Sequence, residues 1–498
     1  MGLIKWFRRR LRPPAATQSQ QDAKPLKSLL EDLQLAEKIY ANDPPWLYET
    51  TPAMEGSGVG AVAAMEIARL ITLESKFEVM GDSILDDVLQ RYVVRNIRAE
   101  TEKGWALGGL IMKPYFVGAT VSAAADGSVQ TISGNMKVEF CYPGQFMIHG
   151  YEITGAVFDI SFYTKHKKGS YYYVLVERQT FDEAVKTTTI TNTVYRMAQA
   201  PKTYLWDNLG SDKVPLSTVE KWANLLPQYV FNDVAGVLCG FYRPPGSNNT
   251  DLESPYGKSP LTRARNAIRD VDRSKNQLAW EMKSTLAKLY IDEVAYDQGK
   301  GVPKNIEGYY VRLLGNPDKK LFEMFNPAIR QESYLQVYDS HLKQLEDAVG
   351  LAHGTLSQPP ENSRTATEIR MSKQRTFATV KDNQAALKEC INQLVYAMAV
   401  WSYPGKDISG ISVNYFFDDS VLSDPLEQLE AFLQMQGAGN IPKWYTNEVC
   451  LGKTEEEAKK LVAEARDELA SDISEDARYY PGLDPIYARK GDANADAT

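Results

Sequence analysis

A chain of 498 residues, 43% of them hydrophobic, can bury roughly two to four cores, so several domains are expected. Its formal net charge of −8 excludes a broad basic face that grips nucleic acid. The longest apolar runs fall short of the roughly 18 residues a membrane-spanning helix needs. Four cysteines (Cys141, Cys239, Cys390, Cys450) lie far apart with no CxxC spacing, which fits a reducing compartment and excludes the common structural zinc patterns.

Charge is unevenly placed. Residues 1–27 carry seven Lys/Arg against Asp22 alone, whereas 453–498 hold twelve Asp/Glu against seven Lys/Arg. Gly2 to Leu11 has the composition of a short basic amphipathic helix for a membrane surface. The simpler expectation is a mobile basic arm over 1–27, leading through a Gln/Pro-rich linker. Helical spacing follows from Leu29 to about Phe116, with one segment through Met65, Ile67, Leu70 and Ile71 and another from Asp82 to Glu102. The glycines at 56, 58 and 60 follow a Pro-containing coil rather than a strand, so they read as a lead-in to a helix and not a phosphate loop.

Between 136 and 197 the period changes to two. Val157 to Lys167 alternates, with Phe158, Ile160 and Phe162 on one face; a turn at 167–170 returns the chain through Tyr171 to Glu177, and Lys186 to Arg196 supplies a third strand. An antiparallel β-meander inserted in a helical chain is expected, its aromatics in a core or an interface. Residues 201–258 look irregular.

Ser259-Pro260 is a cap followed by a first-turn proline, and Leu261, Ala264, Ile268, Val271, Leu278, Met282 and Leu289 recur at helical spacing. They predict a helix to Tyr290, about 45 Å long at ~1.5 Å per residue. Short β-prone runs between 289 and 325 predict a small α/β knob. A return helix opens at Asn326-Pro327 and carries Leu335, Tyr338, Leu342, Leu345 and Val349 in steps of three and four, a seam that asks for a partner helix. Gly350, Gly354, Pro359 and Pro360 make 350–364 a loop, and the capping box of Thr365 and Glu368 starts a third helix that runs to Trp401.

A strand at Ile411–Phe417, a short amphipathic helix at Pro425–Met435, a helical pair over 445–469 and a polar tail complete the chain. Asp418 and Asp419 are adjacent on a strand end and point to opposite faces, which argues against paired acid/base carboxylates. Gly452-Lys453-Thr454 imitates the end of a phosphate-binding loop, but the first glycine of that motif falls at Asn447 and Glu455, Glu456 and Glu457 follow directly. With four scattered histidines (His149, His166, His341, His353), no catalytic set, metal site or cofactor is expected.

The fold class expected is α+β, mainly helical. The order of wing-like helical and β segments, Gly257-Lys258-Ser259-Pro260 opening a long helix, knob, return helix, loop and long helix resembles the portal proteins of tailed bacteriophages. So do the local stretches Glu102 to Tyr115, Asn414 to Pro425 and Lys443 to Glu448. The resemblance implies a wing over 28–258, stem helices at 259–289 and 326–349, and a clip at 290–325. It further implies a tunnel loop at 350–364, a long helix and the C-terminal part of the wing at 365–440, and a crown with an acidic tail at 441–498. It implies a homo-oligomeric ring, a dodecamer, at one capsid vertex of the virion, assembled in the host cytoplasm. Such a ring contacts major capsid and scaffolding proteins, docks the terminase large subunit, binds a head-completion adaptor, touches no membrane, and conducts double-stranded DNA in packaging and ejection. In that frame His353, Arg364, Arg370 and Lys373 are cations placed to touch phosphate; Arg370 and Lys373 fit equally well as partners of neighbouring acids on a solvated helix face. A poreless minor head or scaffold protein, and a packaging motor ATPase, are the competing readings.

Overall fold

A computed structural model describes residues 23–417 except 74, 125–126, 153, 200–208, 210–211, 285–287, 293–309, 314–321, 326–329 and 360–365, and beyond them 433–437, 441–442, 444–446 and 457–465. The chain divides into two compact units, Met1–Phe417 and Asp418–Thr498. Its architecture is mixed α+β, 45% helical and 27% strand.

The first unit begins with α1 (Ala23–Tyr40), which takes in five residues of the segment expected to be a mobile arm. Pro25 sits in the opening turn, where a missing N–H is harmless; residues 1–22 lie outside the described residues. Next come α2 (Val59–Thr72), β1 (Lys76–Met80) and α3 (Ser83–Val88). The Asp82 carboxylate caps α3 by accepting from the Ile84 and Leu85 amides. The helical path continues through a π turn at Leu89–Val93 into α4 (Ile97–Leu107), which Gly108 closes at φ 88°.

Helix was expected to about Phe116. Instead β2 (Leu110–Ala123) starts two residues beyond that cap and forms a long hairpin with β3 (Val129–Cys141), because Leu110, Ile111 and Met112 are fully buried against neighbours on both faces. Strand structure therefore begins earlier than the period-two pattern indicated, in a sheet separate from that of the meander. The meander runs through β4 (Phe146–Tyr151), β5 (Val157–Lys168), β6 (Tyr171–Asp182), β7 (Thr187–Met197) and the short β8 (Lys213–Val214), adjacent in that order. Ile160 and Phe162 are buried as expected, but Phe158 is exposed and Ser161 and Tyr163 are buried on the opposite face. The middle of β5 is covered on both sides.

Two strands occupy the stretch expected to be irregular. β9 (Gln228–Asn232) pairs with β7, and β10 (Gly240–Tyr242) pairs with β2. They are too short for a periodic signal, and tertiary contact decides them: a Cβ at Gly240 would overlap the Cys390 carbonyl, so only glycine lets this strand lie on the helix that carries Cys390.

The expected long helix is broken and shortened. α5 (Pro260–Arg263) ends at Ala264, where ψ is 7°, and α6 (Arg265–Ser284) follows. Leu289 and Tyr290 belong not to a helix but to β11 (Lys288–Asp292), which is paired on both edges, parallel to β12 (Tyr310–Leu313) and antiparallel to β13 (Phe322–Phe325). At ~1.5 Å per residue the 20 residues of α6 span about 30 Å. Among the described residues of 290–325 all regular structure is strand, where a small α/β knob was expected.

α7 (Gln331–Val349) runs back beside α6, and α8 (Ala366–Ser402) spans 37 residues to within one of the expected Trp401. β14 (Ser412–Phe416) pairs antiparallel with β1, joining the two ends of the unit. Val380, Leu387, Cys390, Ile391, Leu394 and Met398 of α8 are fully buried, and Trp401 packs among Phe116, Tyr229 and Phe231. α8 is the spine of this core.

In the second unit the described residues are helical at 433–437, 444–446 and 457–465. Lys459 lies over the Trp444 ring at 4.9 Å and Thr446 donates to Gln436 at 3.0 Å. Gly452-Lys453-Thr454 and Asp418-Asp419 lie outside the described residues.

Candidate functional site

The stretch Gly257-Lys258-Ser259-Pro260 works as a latch. The Lys258 ammonium is buried, ion-paired with Asp32 on α1 and donating to Thr250 Oγ1 at 2.5 Å. Ser259 Oγ donates to the Ala106 carbonyl at 2.5 Å and accepts from Thr262 N, capping α5. A Cβ at Gly257 would overlap the Gly108 carbonyl. The helical pair is thereby fixed to α1 and α4.

The Gly56-Ser57-Gly58 stretch docks on α6. Ser57 N donates to Asp272 Oδ1 at 2.7 Å, Trp46 Nε1 donates to Asp272 Oδ2 at 2.7 Å, and Lys275 Nζ donates to the Gly56 carbonyl at 2.9 Å. A carboxylate holds the amide that a phosphate would need, so the glycine-rich lead-in is structural.

α6 and α7 run antiparallel. Ser274 Oγ and His341 Nδ1 are 2.6 Å apart, and Arg330 grips Glu281 with two bonds of 3.1 and 3.2 Å. The Arg330 hydrogen bonds hold the Glu281 carboxyl below the usual range. The seam closes along half its length only: Leu342, Leu345 and Val349 are buried, Tyr338 is half-buried and Leu335 is exposed. Burial beside α6 pushes the Tyr338 hydroxyl up, with the Asp272 carboxylate adding to the effect.

Gly350 caps α7 at φ 80°, and a side chain there would also strike Thr379. Gly and Pro content predicted a loop with little to pack, but its described part, 350–359, is pinned. Leu351 is fully buried; Ala352 N donates to Thr376 Oγ1 at 2.7 Å and Thr379 Oγ1 donates to the Gly350 carbonyl at 2.9 Å. The centre of the anchorage is Glu346, a fully buried carboxylate that accepts from Leu356 N at 2.5 Å, Ser357 N at 2.9 Å and Ser357 Oγ at 2.8 Å. Asp339 accepts from Gln358 N at 2.8 Å and pairs with Lys343 at 2.7 Å. Burial acts to raise the Asp339 carboxyl, but these two donors outweigh it and hold it below the usual range.

Of the expected cations, His353 lies 3.1 Å from Asp347, and Arg375, which sequence reasoning passed over, pairs with the same carboxylate. Arg370 and Lys373 sit in the first turns of α8, their side chains outside the described residues; Arg364 and Pro360 lie outside them altogether. Gly354 donates its amide to Ser357 Oγ at 3.0 Å, and Pro359 is exposed at the end of the described loop. Four further residues went unnoticed: Glu346, Asp347, Thr376 and Thr379. Glu346 left a signal, an acid placed between two seam residues, Leu345 and Val349, just ahead of a glycine cap. Among the described residues no group of three or more His, Cys, Asp and Glu can hold a metal, and no helix is long and apolar enough to cross a membrane.

Residues 253–470 match the family described as phage portal protein, SPP1 Gp6-like. That segment, somewhat under half of the chain, is similar to the phage portal proteins. The match covers α5 through the described helix at 457–465, so the latch, the helical pair, the pinned loop and α8 all fall inside the portal segment; α1 to β10 lie before it. No curated protein matches the chain. The portal family is a structural one.

Proposed function

We propose that this chain is the subunit of a ring, a dodecamer, that stands at one vertex of a phage capsid and passes double-stranded DNA through its centre. In this reading α5, α6 and α7 are the stem, the three-stranded sheet of β11–β13 is the clip, α1 to β10 form the wing, and 350–364 faces the duplex. The residues from 441 on form the crown and an acidic tail.

One observation carries the proposal. At the end of the helical pair nearest the clip, Trp280 is 65% exposed, Met282 58%, Val337 46% and Leu335 37%. Large apolar side chains left uncovered on two adjacent helices, two positions apart and so on opposite sides of each, suit a pair flanked by a neighbouring copy on either side. A heterologous contact between copies, repeated around a closing rotation, gives a ring. Two cations beside the loop suit a conduit: Asp347 holds both His353 and Arg375, which weakens their hold on phosphate, whereas six to ten phosphate contacts give strong, salt-sensitive binding. The terminase large subunit, which supplies the ATP hydrolysis, docks at the clip; major capsid and scaffolding proteins and a head-completion adaptor engage the same ring during assembly, packaging and ejection.

Single-particle imaging of the purified protein tests this. Rings with a central channel, dispersed by Trp280→Glu together with Met282→Glu, are the expected result. Monomers or dimers in the wild type overturn it.

A further inference from the structure

The six-stranded sheet of β4–β9 is charged oppositely at its two ends. At the end formed by the β5–β6 turn, the described residues include Lys165, Lys167, Lys168, Arg196 and Lys213, against Asp212, which pairs with Arg196 at 2.8 Å, and the exposed Glu220. Register places Lys165, Val174, Tyr195 and Lys213 in one row across four strands, with Lys167, Tyr172 and Met197 in the row beside it. Alternation puts Lys165, Lys167, Tyr172, Tyr195 and Lys213 on a single face, around the fully buried Val174. Lys167 lies over Tyr172 at 5.4 Å and Lys213 over Tyr195 at 5.8 Å. The opposite face is closed by Tyr173, Leu175, Val194, Val219 and Trp222. Among the described residues Lys165, Lys167 and Lys213 have no carboxylate partner, and Lys168 donates to the Thr218 carbonyl.

The far end reverses the sign. Glu152, Asp182, Glu183 and Asp233 stand there against Lys186 and the half-buried Arg243, which donates to the Gly155 carbonyl at 2.7 Å. The first three rim an open concavity of about 660 Å³, with Asp159, Thr180 and the exposed Val185 in its lining. Asp159 is neutralised by Arg178 at 2.6 Å, so Glu152, Asp182 and Glu183 give the concavity its charge. The two ends are separated by the length of β6, about 36 Å at ~3.3 Å per residue, so they cannot meet within one copy.

We infer that the basic, tyrosine-bearing end of this sheet in one copy seats in the acidic concavity of the next, a second, electrostatic contact around the ring. The inference rests on the ring reading above and adds an interface outside the helical pair. A second copy fits better than a duplex for a physical reason. DNA lying along the strands would meet the acidic end after the basic one, whereas another copy presents the complement of both. Because each copy offers two different ends, the contact is head-to-tail and propagates around a closed ring.

Two full-length variants test it: Lys165→Glu/Lys167→Glu/Lys213→Glu at the basic end, and Glu152→Lys/Asp182→Lys/Glu183→Lys at the acidic end. Mass photometry against protein concentration and salt reads assembly, and circular dichroism confirms the fold. With exposed pairs each weak, three reversed charges are expected to raise the concentration for half-assembly about tenfold or more in either variant alone. Mixing the two variants restores assembly, since every contact in an alternating ring again joins opposite charges. Should a triple variant not fold, the Lys→Gln and Glu→Gln, Asp→Asn forms and the salt titration of wild type carry the same comparison. Wild-type rings with unaffected variants, no rescue on mixing, or loss of duplex binding without a change in assembly would each overturn the inference while leaving the ring standing. A monomeric or dimeric wild type removes both.

Discussion

Replacing Glu346 with alanine should unpin the loop from the helical pair. The carboxylate is fully buried and accepts three hydrogen bonds, two from the amides of Leu356 and Ser357 and one from Ser357 Oγ. Bonds to a charged acceptor contribute about 1.5–3 kcal/mol each, and stranding a buried donor costs about 1–3 kcal/mol. The three donors share one acceptor and are not additive, so the loss is about 3 kcal/mol rather than the full sum. Each 1.4 kcal/mol is tenfold, which makes hydrogen exchange at the Leu356 and Ser357 amides roughly 100-fold faster. Glu346→Gln keeps one acceptor oxygen and should fall between. Proteolysis of the intact protein should cut first within 351–358 in the alanine variant. Exchange unchanged at those two amides would refute the assignment of Glu346 as the clasp.

Three other outcomes follow from neighbouring groups. Asp347→Asn frees Arg375 and His353, and the slope of log K for duplex DNA against log salt should steepen by about 0.9 for each cation that then reaches a phosphate, measured by fluorescence anisotropy. The Asp339 carboxyl is held below the usual range, so its stabilisation is whole above the unfolded value of about 3.9 and drops away as pH falls through the lower folded value; the Gln358 amide resonance should titrate in that acidic window and Asp339→Asn should abolish the change. Ser259→Ala removes the α5 cap and the donor to the Ala106 carbonyl, for a loss of about 1–3 kcal/mol in denaturant unfolding, whereas Ser259→Thr should retain most of it.

Periodic segments were legible because a single face decides them. The α8 residues Leu387, Ile391, Leu394 and Met398 recur every three or four positions and all are buried, so their helix stands where the spacing put it. The β5–β6 turn follows from Gly169, whose φ of 61° suits glycine. What escaped the sequence was decided by partners distant along the chain. Leu289 and Tyr290 fit a helical stripe and a β-strand equally well, and pairing on both edges of β11 decides for the strand. β10 exists because Gly240 can touch the Cys390 carbonyl, 150 residues away in sequence, and no local pattern encodes that.

The loop was misjudged for a related reason. Gly354 and Pro359 mark a turn correctly, but loop composition says nothing of Glu346 beneath it or of Thr376 and Thr379 across from it. Likewise the seam of α7 reads as uniform from Leu335 to Val349, while the structure buries its last residues and exposes Leu335. In the proposed ring, the part of the pattern left uncovered within one chain is the part that a second copy covers.

The central claim, a closed ring around a DNA-sized passage, is met most directly by cryo-electron microscopy of the purified full-length protein with symmetry left free. The account predicts a single ring of twelve copies, with α6 and α7 standing side by side around an open channel and Trp280 covered by the neighbouring copy. A population of separate monomers, or an assembly with no hole through it and Trp280 still facing solvent, would contradict it.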